Sequence, residues 1–290
     1  MITINNGVLE VSVNEKGGSM TSIKKAGFEY QWQGSEDSWT GQDVVIFPFI
    51  ARLKDGFYTV DGKEYSMKNH GLPRYATLDI EEEKQDEVTL SLTWSEETLK
   101  QYPYKFKLFV NYKLIDNELK VSYRVVNLDD KTIYFGIGGH PAFNLPLDRK
   151  DGYDDISGNY IEFENEVTLD NYFEEETGSY LTHKGTFGTV KRIDLSKDLF
   201  KEYHTMNLTG DKMDKVTLHR RDGIEVKMRL NNPKVLAIWS KPTYGSYVCI
   251  EPWQGIPDFD NPPSRELKDK ELINPLEKGK EFVFSYSIIL

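Results

Sequence analysis

The sequence predicts an all-β protein, a sandwich or a barrel, from three observations. Apolar residues recur with a period of two, Asn/Asp-bearing turns separate the recurring runs, and long helical periodicity is hard to find. The clearest run is Tyr104 to Leu114, where Tyr104, Phe106, Leu108, Val110, Tyr112 and Leu114 alternate with mostly polar residues, as a strand with one buried face requires. Val88, Leu90, Leu92 and Trp94 alternate in the same way, as do Leu119, Val121, Tyr123 and Val125. The alternation closes the chain at Phe282, Phe284, Tyr286, Ile288 and Leu290. Asn6-Gly7, Asp61-Gly62 and Asp222-Gly223 each separate two such segments and read as hairpin turns, because Asn, Asp and Gly tolerate positive φ. Asp116-Asn117 reads likewise between Leu114 and Leu119. One short helix is expected from Ser95 to Gln101, capped by Ser95 and stopped by Pro103.

Composition narrows the function. The 290 residues carry 36 Lys+Arg against 47 Asp+Glu, a formal net charge of −11, which argues against nucleic acid or an anionic membrane surface as partner. A hydrophobic fraction of 38% supplies a sizeable core. The lone Cys249 excludes an internal disulfide and a multi-thiolate metal site. No stretch is long and apolar enough to span a membrane, and the first residues lack the basic and apolar regions of a secretory signal, so a cytoplasmic protein is expected. There is no linker, repeat or low-complexity tract, so residues 1–290 are read as one domain. The acidic piece Phe173 to Thr177 is read as a solvated loop.

Three segments do not fit simple strands or turns. The first is Phe47 to Gly56, followed by the Asp61-Gly62 hairpin and then Asn69-His70-Gly71-Leu72-Pro73-Arg74. The second is Gly136 to Leu145, and the third Tyr247 to Asp258. Each places a titratable residue beside Gly or Pro at the end of an apolar run. His140 lies between Gly139 and Pro141, so the ladder must end there. Glu251 ends the run Val248-Cys249-Ile250 and precedes Pro252; half-burial of its carboxyl would raise its pKa. Taken singly, each is as readily a cap or a surface ion-pair residue. Two His, one Arg and one Glu together at irregular strand ends suit proton transfer at two positions of one small molecule. With ordinary pKa values, Glu251 and His140 would be oppositely charged between about 4.3 and 6.5.

Other chemistries find less support. No His-x-His or His-x-x-x-His pair is present, so no metal is expected. Nucleophile-elbow, phosphate-loop and dinucleotide motifs are absent, and no cofactor is called for. His183, His204 and His219 are read as surface or packing residues, and Cys249 as a small buried side chain. The indoles of Trp253 and Trp239 suit the apolar face of a pyranose, although core packing is the competing role.

At these segments the chain resembles the aldose 1-epimerase (galactose mutarotase-like) superfamily, in its divergent bacterial branch. The resemblance runs from Gly18-Ser19-Met20-Thr21-Ser22-Ile23 and Glu29-Tyr30-Gln31-Trp32 through Phe47-Pro48, Arg52-Leu53 and His70-Gly71. It continues in Gly139-His140-Pro141-Ala142-Phe143-Asn144-Leu145, Ile238-Trp239-Ser240-Lys241-Pro242 and Cys249-Ile250-Glu251-Pro252-Trp253. It implies a large antiparallel β-sandwich of the supersandwich type that binds a sugar in an open cleft. It implies Glu251 as general base, His140 as general acid, and Arg52 and His70 as groups that bind sugar oxygens. Gly139 stands where galactose-type members usually carry Asn, and the sugar-binding Asp of the family has no clear match around Glu202-Tyr203-His204-Thr205. The stretch His70 to Arg74 also resembles hexose-6-phosphate epimerases, which would place Arg74 against a phosphate. The expectation is a mutarotase acting on an aldohexose, with Trp253 against the ring. Alternatives are a hexose-6-phosphate 1-epimerase, a non-catalytic sugar-binding protein, and a glycosidase or lyase using Glu251 with Asp258 or Asp260.

Overall fold

The computed structural model describes residues 1–150 and 152–290, with the side chain of Lys150 left out of the description. Its strands pair antiparallel, as the hairpin turns require. One sheet of 15 strands dominates. Along its main path the order is Val45–Ile46, Ile137–Gly139, Tyr247–Gln254, Val235–Trp239, Thr205–Gly210, Tyr160–Glu174, Lys215–His219, Glu225–Arg229, Glu281–Ile289, Glu118–Asn127, Phe106–Ile115, Glu87–Thr93 and Asp79–Glu83. Ala142–Asn144 also pairs with Tyr247–Gln254, and Leu181–Asp194 with Tyr160–Glu174. A four-stranded sheet, Ile2–Asn5, Leu9–Asn14, Ser19–Lys25 and Phe28–Glu29, opens the chain.

The period-two runs form the strands expected of them. Phe106, Leu108, Val110, Tyr112 and Leu114 are buried on one face of Phe106–Ile115, while Lys107, Phe109, Asn111 and Lys113 are not. Leu119, Val121, Tyr123 and Val125 follow from the paired strand, and Phe284, Tyr286 and Ile288 from the next. Each such side chain contributes about 1.5–3 kcal/mol by leaving water. All four expected hairpins are present; Gly7, Gly62, Gly223 and Asp116 take the positive φ that closes them. The short helix is Glu96–Leu99, with Ser95 and Thr98 in a reciprocal capping box. A second helix, Lys197–Tyr203, was not expected from sequence, since two turns are too few for a periodic signal.

The strand that positions the site is Tyr247–Gln254. Both of its faces are buried, which is why it reads as a continuous apolar run rather than an alternating one. On one side it pairs with Val235–Trp239. On the other it meets two short strands, Ile137–Gly139 and Ala142–Asn144, with His140-Pro141 in the break between them. The pairs Gly138↔Trp253 and Ala142↔Cys249 keep one register across that break. His140 therefore stands directly opposite Glu251, as a cross-strand pair set by the sheet itself.

Candidate active site

A cavity of about 590 Å³ opens over this pair, within the range of small-molecule sites. Of the residues singled out in the sequence, Arg52, His70, Arg74, His140, Trp239, Glu251 and Trp253 all line it. Three segments far apart in the chain thus converge on one hollow.

Glu251 and His140 form its buried core. Glu251 is 1% exposed and His140 7%. His140 Nε2 lies 3.3 Å from Glu251 Oε2. Neither Glu251 Oε2 nor His140 Nδ1 has a hydrogen-bond partner among the described protein groups, so both hold unused capacity. Small residues make room for the pair. A side chain at Gly138 would fall 2.5 Å from the Trp253 indole, and Ala237 is the partner of Glu251 on the other neighbouring strand.

His70 comes from a loop stitched to the Phe47-to-Leu53 segment. Its N–H donates to Ala51 O (2.9 Å), its carbonyl accepts from Phe47 N–H (3.2 Å), and Leu72 N–H donates to Phe47 O (2.7 Å). Gly71 is obligatory there: its φ is +79° and a Cβ would lie 2.0 Å from Phe47 O. The Ala51 N–H donates to His70 Nδ1 at 3.3 Å, so the ring proton belongs on Nε2. The two imidazoles meet edge to face with centroids 5.4 Å apart. Arg52 and Arg74 share this wall, and among the described residues neither forms an ion pair with a carboxylate.

Burial reverses the protonation order that ordinary pKa values imply. Desolvation, then the nearby Asp43 and Glu174 carboxylates, push Glu251 well above the usual carboxylate range. Desolvation, with help from Arg74, lowers His140 to about 3. His70 is likewise held well below the usual imidazole value by burial, with His140 and the two arginines adding to it. The Glu251 and His140 shifts both favour the neutral form of each group, so a proton shared by the pair leans toward Glu251 rather than His140.

Sequence reasoning missed part of the cavity. Trp39 stacks on His140 with centroids 4.9 Å apart and meets Trp239 edge-on at 5.5 Å. The acidic piece read as a solvated loop is one only from Glu175 to Thr177, where Glu176 and Thr177 are exposed; its first residues, Phe173-Glu174, end a strand and supply a wall. Glu174 accepts from Thr205 N–H (3.1 Å) and Asn207 Nδ2 (3.3 Å), and burial lifts it to about 7. Thr177, Gly178 and Ser179 line the same side. His204, read as a packing or surface residue, also lines the cavity. Its neighbour Thr205 does too, so the stretch Glu202-Tyr203-His204-Thr205 does reach the site, with Glu174 as the carboxyl beside it. The structure shows Phe173-Glu174 to be the end of a strand rather than the middle of a loop.

Other expectations resolve by contact. Trp253 is 3% exposed and packs with Val44, Ile46, Ile50 and Val235, so it is a core residue with one edge in the cavity. Asp258 is bound by Lys270 (2.7 Å) and Asp260 by Lys54 (2.6 Å), and neither lines the cavity; Glu251 has no second carboxylate of the kind hydrolysis needs from them. His219 is bracketed by Glu162 and Glu225, and His183 stacks on Phe173. Cys249 lies within 4.8 Å of the His140 and Glu251 donor atoms; it is fully buried, and burial pushes its thiol up.

The comparisons with known proteins point one way. The family described as aldose 1-epimerase matches residues 1–273. The chain belongs to the aldose 1-epimerase family. Protein LacX (plasmid) of Lactococcus lactis subsp. lactis is 31% identical over 301 residues, covering 100% of this chain and 99% of that protein. A galactose mutarotase related enzyme from Lactobacillus acidophilus superposes with a TM-score of 0.92 at 34% identity, over 99% of this chain and 96% of that one. A galactose mutarotase-like protein from Lactobacillus casei gives 0.89 at 26%, over 100% and 99%. The all-β antiparallel fold is thus the mutarotase-like one. Sugars are the substrates of this family, and no helix among the described residues is long and apolar enough to cross a membrane.

Proposed function

We propose that the protein is a cytoplasmic aldose 1-epimerase that interconverts the anomers of an aldohexose without a cofactor. The observation that carries this reading is the buried 3.3 Å contact between His140 and Glu251 at the base of the cavity. Mutarotation removes a proton from the anomeric hydroxyl and delivers one to the ring oxygen, then reverses both steps after rotation about C1–C2. A pair holding one proton can do this without changing its net charge. Transfer of that proton from Glu251 to His140 creates the base and the acid together. Glu251 then takes the anomeric proton while His140 protonates the ring oxygen, each step contributing about 10²–10⁴-fold. His70 Nε2–H and Arg52 hold sugar oxygens, and Trp39 and Trp239 offer aromatic surface to the ring.

The test is polarimetry on fresh α-glucose and α-galactose. Glu251→Gln and His140→Asn should each lose at least about 10²-fold in rate while keeping a cooperative unfolding transition. Wild-type turnover in either folded variant rules out the assigned role, and binding without anomer exchange makes the protein a sugar-binding one. Arg52 and Arg74, facing the cavity without carboxylate partners, favour a second reading in which the sugar is phosphorylated at position 6. The same assay on the 6-phosphates, with Arg74→Gln, separates the two.

A further inference from the structure

Asp43 does not line the cavity, yet it is built into the back of the site. It is 5% exposed. Its Oδ1 accepts the main-chain N–H of His140 at 3.3 Å, and its Oδ2 accepts that of Met20 at 3.2 Å. The first of these bonds falls where the ladder breaks, at the residue whose register places it against Glu251. The buried phenols of Tyr112, Tyr123 and Tyr286, from three consecutive strands, lie within electrostatic reach of Asp43. Glu251 and Cys249 face it from Tyr247–Gln254.

Asp43 and Glu251 are two carboxyl groups in one apolar interior, where a single negative charge is far cheaper than two. Hydrogen bonding decides which group takes it. Asp43 receives main-chain N–H donors on both oxygens, whereas Glu251 Oε2 receives none and its carboxyl has the Trp253 indole as a neighbouring donor. The charge belongs on Asp43 and the proton on Glu251.

We propose that Asp43 is a positioning residue for the proton-transfer pair: it anchors the main chain of His140 and, by holding the one negative charge, keeps a proton on Glu251. This rests on the mutarotase reading for its purpose, but not for its test. Asp43 itself is lifted by burial only to about 6, whereas burial, with Asp43 and Glu174 nearby, pushes Glu251 well above the usual carboxylate range. The other groups facing the pair are Cys249, Glu174, Tyr247, His70, Arg74 and the Trp253 indole.

The experiment compares wild type with Asp43→Asn, which keeps an oxygen for one of the two N–H donors. Removing the negative neighbour stabilises the Glu251 anion, so Glu251 should ionise about one pH unit lower. Infrared spectroscopy reads this directly, through the protonated-carboxyl band that Glu251→Gln abolishes. That band should vanish at lower pH in Asp43→Asn, and the alkaline limb of the mutarotation profile should move the same way. A purely structural role would lower the rate without moving either titration, and superimposable titrations overturn the proposal. Should Asp43→Asn not fold, the wild-type spectrum still decides: absence at pH 7 of a protonated band assignable to Glu251 also overturns it. Lack of turnover on every sugar, with the band shifted as expected, would remove the mutarotase reading and leave the coupling standing.

Discussion

Gly139 immediately precedes His140, and replacing it with Ala tests how tightly the sheet holds the site. A Cβ there would lie 2.5 Å from the Tyr286 hydroxyl oxygen, 2.8 Å from Tyr286 Cε1 and 2.9 Å from the Tyr123 hydroxyl. Ordinary contact is about 3.5 Å, so something must retreat by roughly 1 Å. Both tyrosines are fully buried among strands that cannot part freely. Overpacking of this kind costs about 1–3 kcal/mol, or about 2–6 °C in Tm for a chain of this size. The loss in rate should be larger, near 10²-fold, because a shift of about 1 Å in His140 spoils its alignment with Glu251. Tyr286→Phe removes the oxygen nearest the new methyl, at the cost of its contact with the neighbouring Tyr123 hydroxyl. The double variant should recover about half the stability, a coupling above about 0.5 kcal/mol, with the Tyr123 contact keeping recovery incomplete. Thermal unfolding by circular dichroism and polarimetry measure both quantities. A Gly139→Ala protein as stable and active as wild type, or strict additivity in the double variant, would refute the reasoning.

Two further outcomes follow from buried charges. Glu174 is raised to about 7 in the folded protein, so its stabilising contribution is complete below the unfolded carboxylate value and is lost as pH rises through about 7. Glu174→Gln, which keeps an acceptor for Thr205 N–H, should therefore match wild type near pH 4 and exceed it at pH 8, by at most about 3 kcal/mol; a difference constant with pH in urea melts would contradict this. Lys197 Nζ donates to Ser240 Oγ (3.2 Å), Lys241 O (2.6 Å) and Gly245 O (2.8 Å), tying down the loop that carries Pro242 into the cavity. Lys197→Met leaves these acceptors unpaired and should cost about 2–4 kcal/mol while raising KM more than it lowers kcat; an unchanged melting curve would count against it.

The strands, the four hairpins and the Ser95 cap were legible because each is written locally: alternation every second residue, or a turn residue that tolerates positive φ. The irregular segments around His70, His140 and Glu251 were legible because Gly and Pro interrupt apolar runs there. Glu174 was misread because acidity alone suggests a solvated loop, whereas the pairing of its strand with Thr205–Gly210 turns it into a wall. Trp39 and Asp43 carry no local signal at all; they act through a ring stacked on His140 and a bond to a main-chain group 97 positions away.

The amino-acid order by itself determined the all-β class, the turns, and the candidate residues that converge on one cavity. Tertiary structure alone decided that His140 and Glu251 face each other, since a single register holds on both sides of a broken ladder. It also set the direction in which each of their pKa values moves. Ordinary side-chain chemistry places a shared proton on the imidazole, but desolvation acts oppositely on acids and bases. Burial, with the distant Asp43 and Glu174 carboxyl groups beside Glu251, favours the neutral form of each group and so tilts a shared proton from His140 toward Glu251.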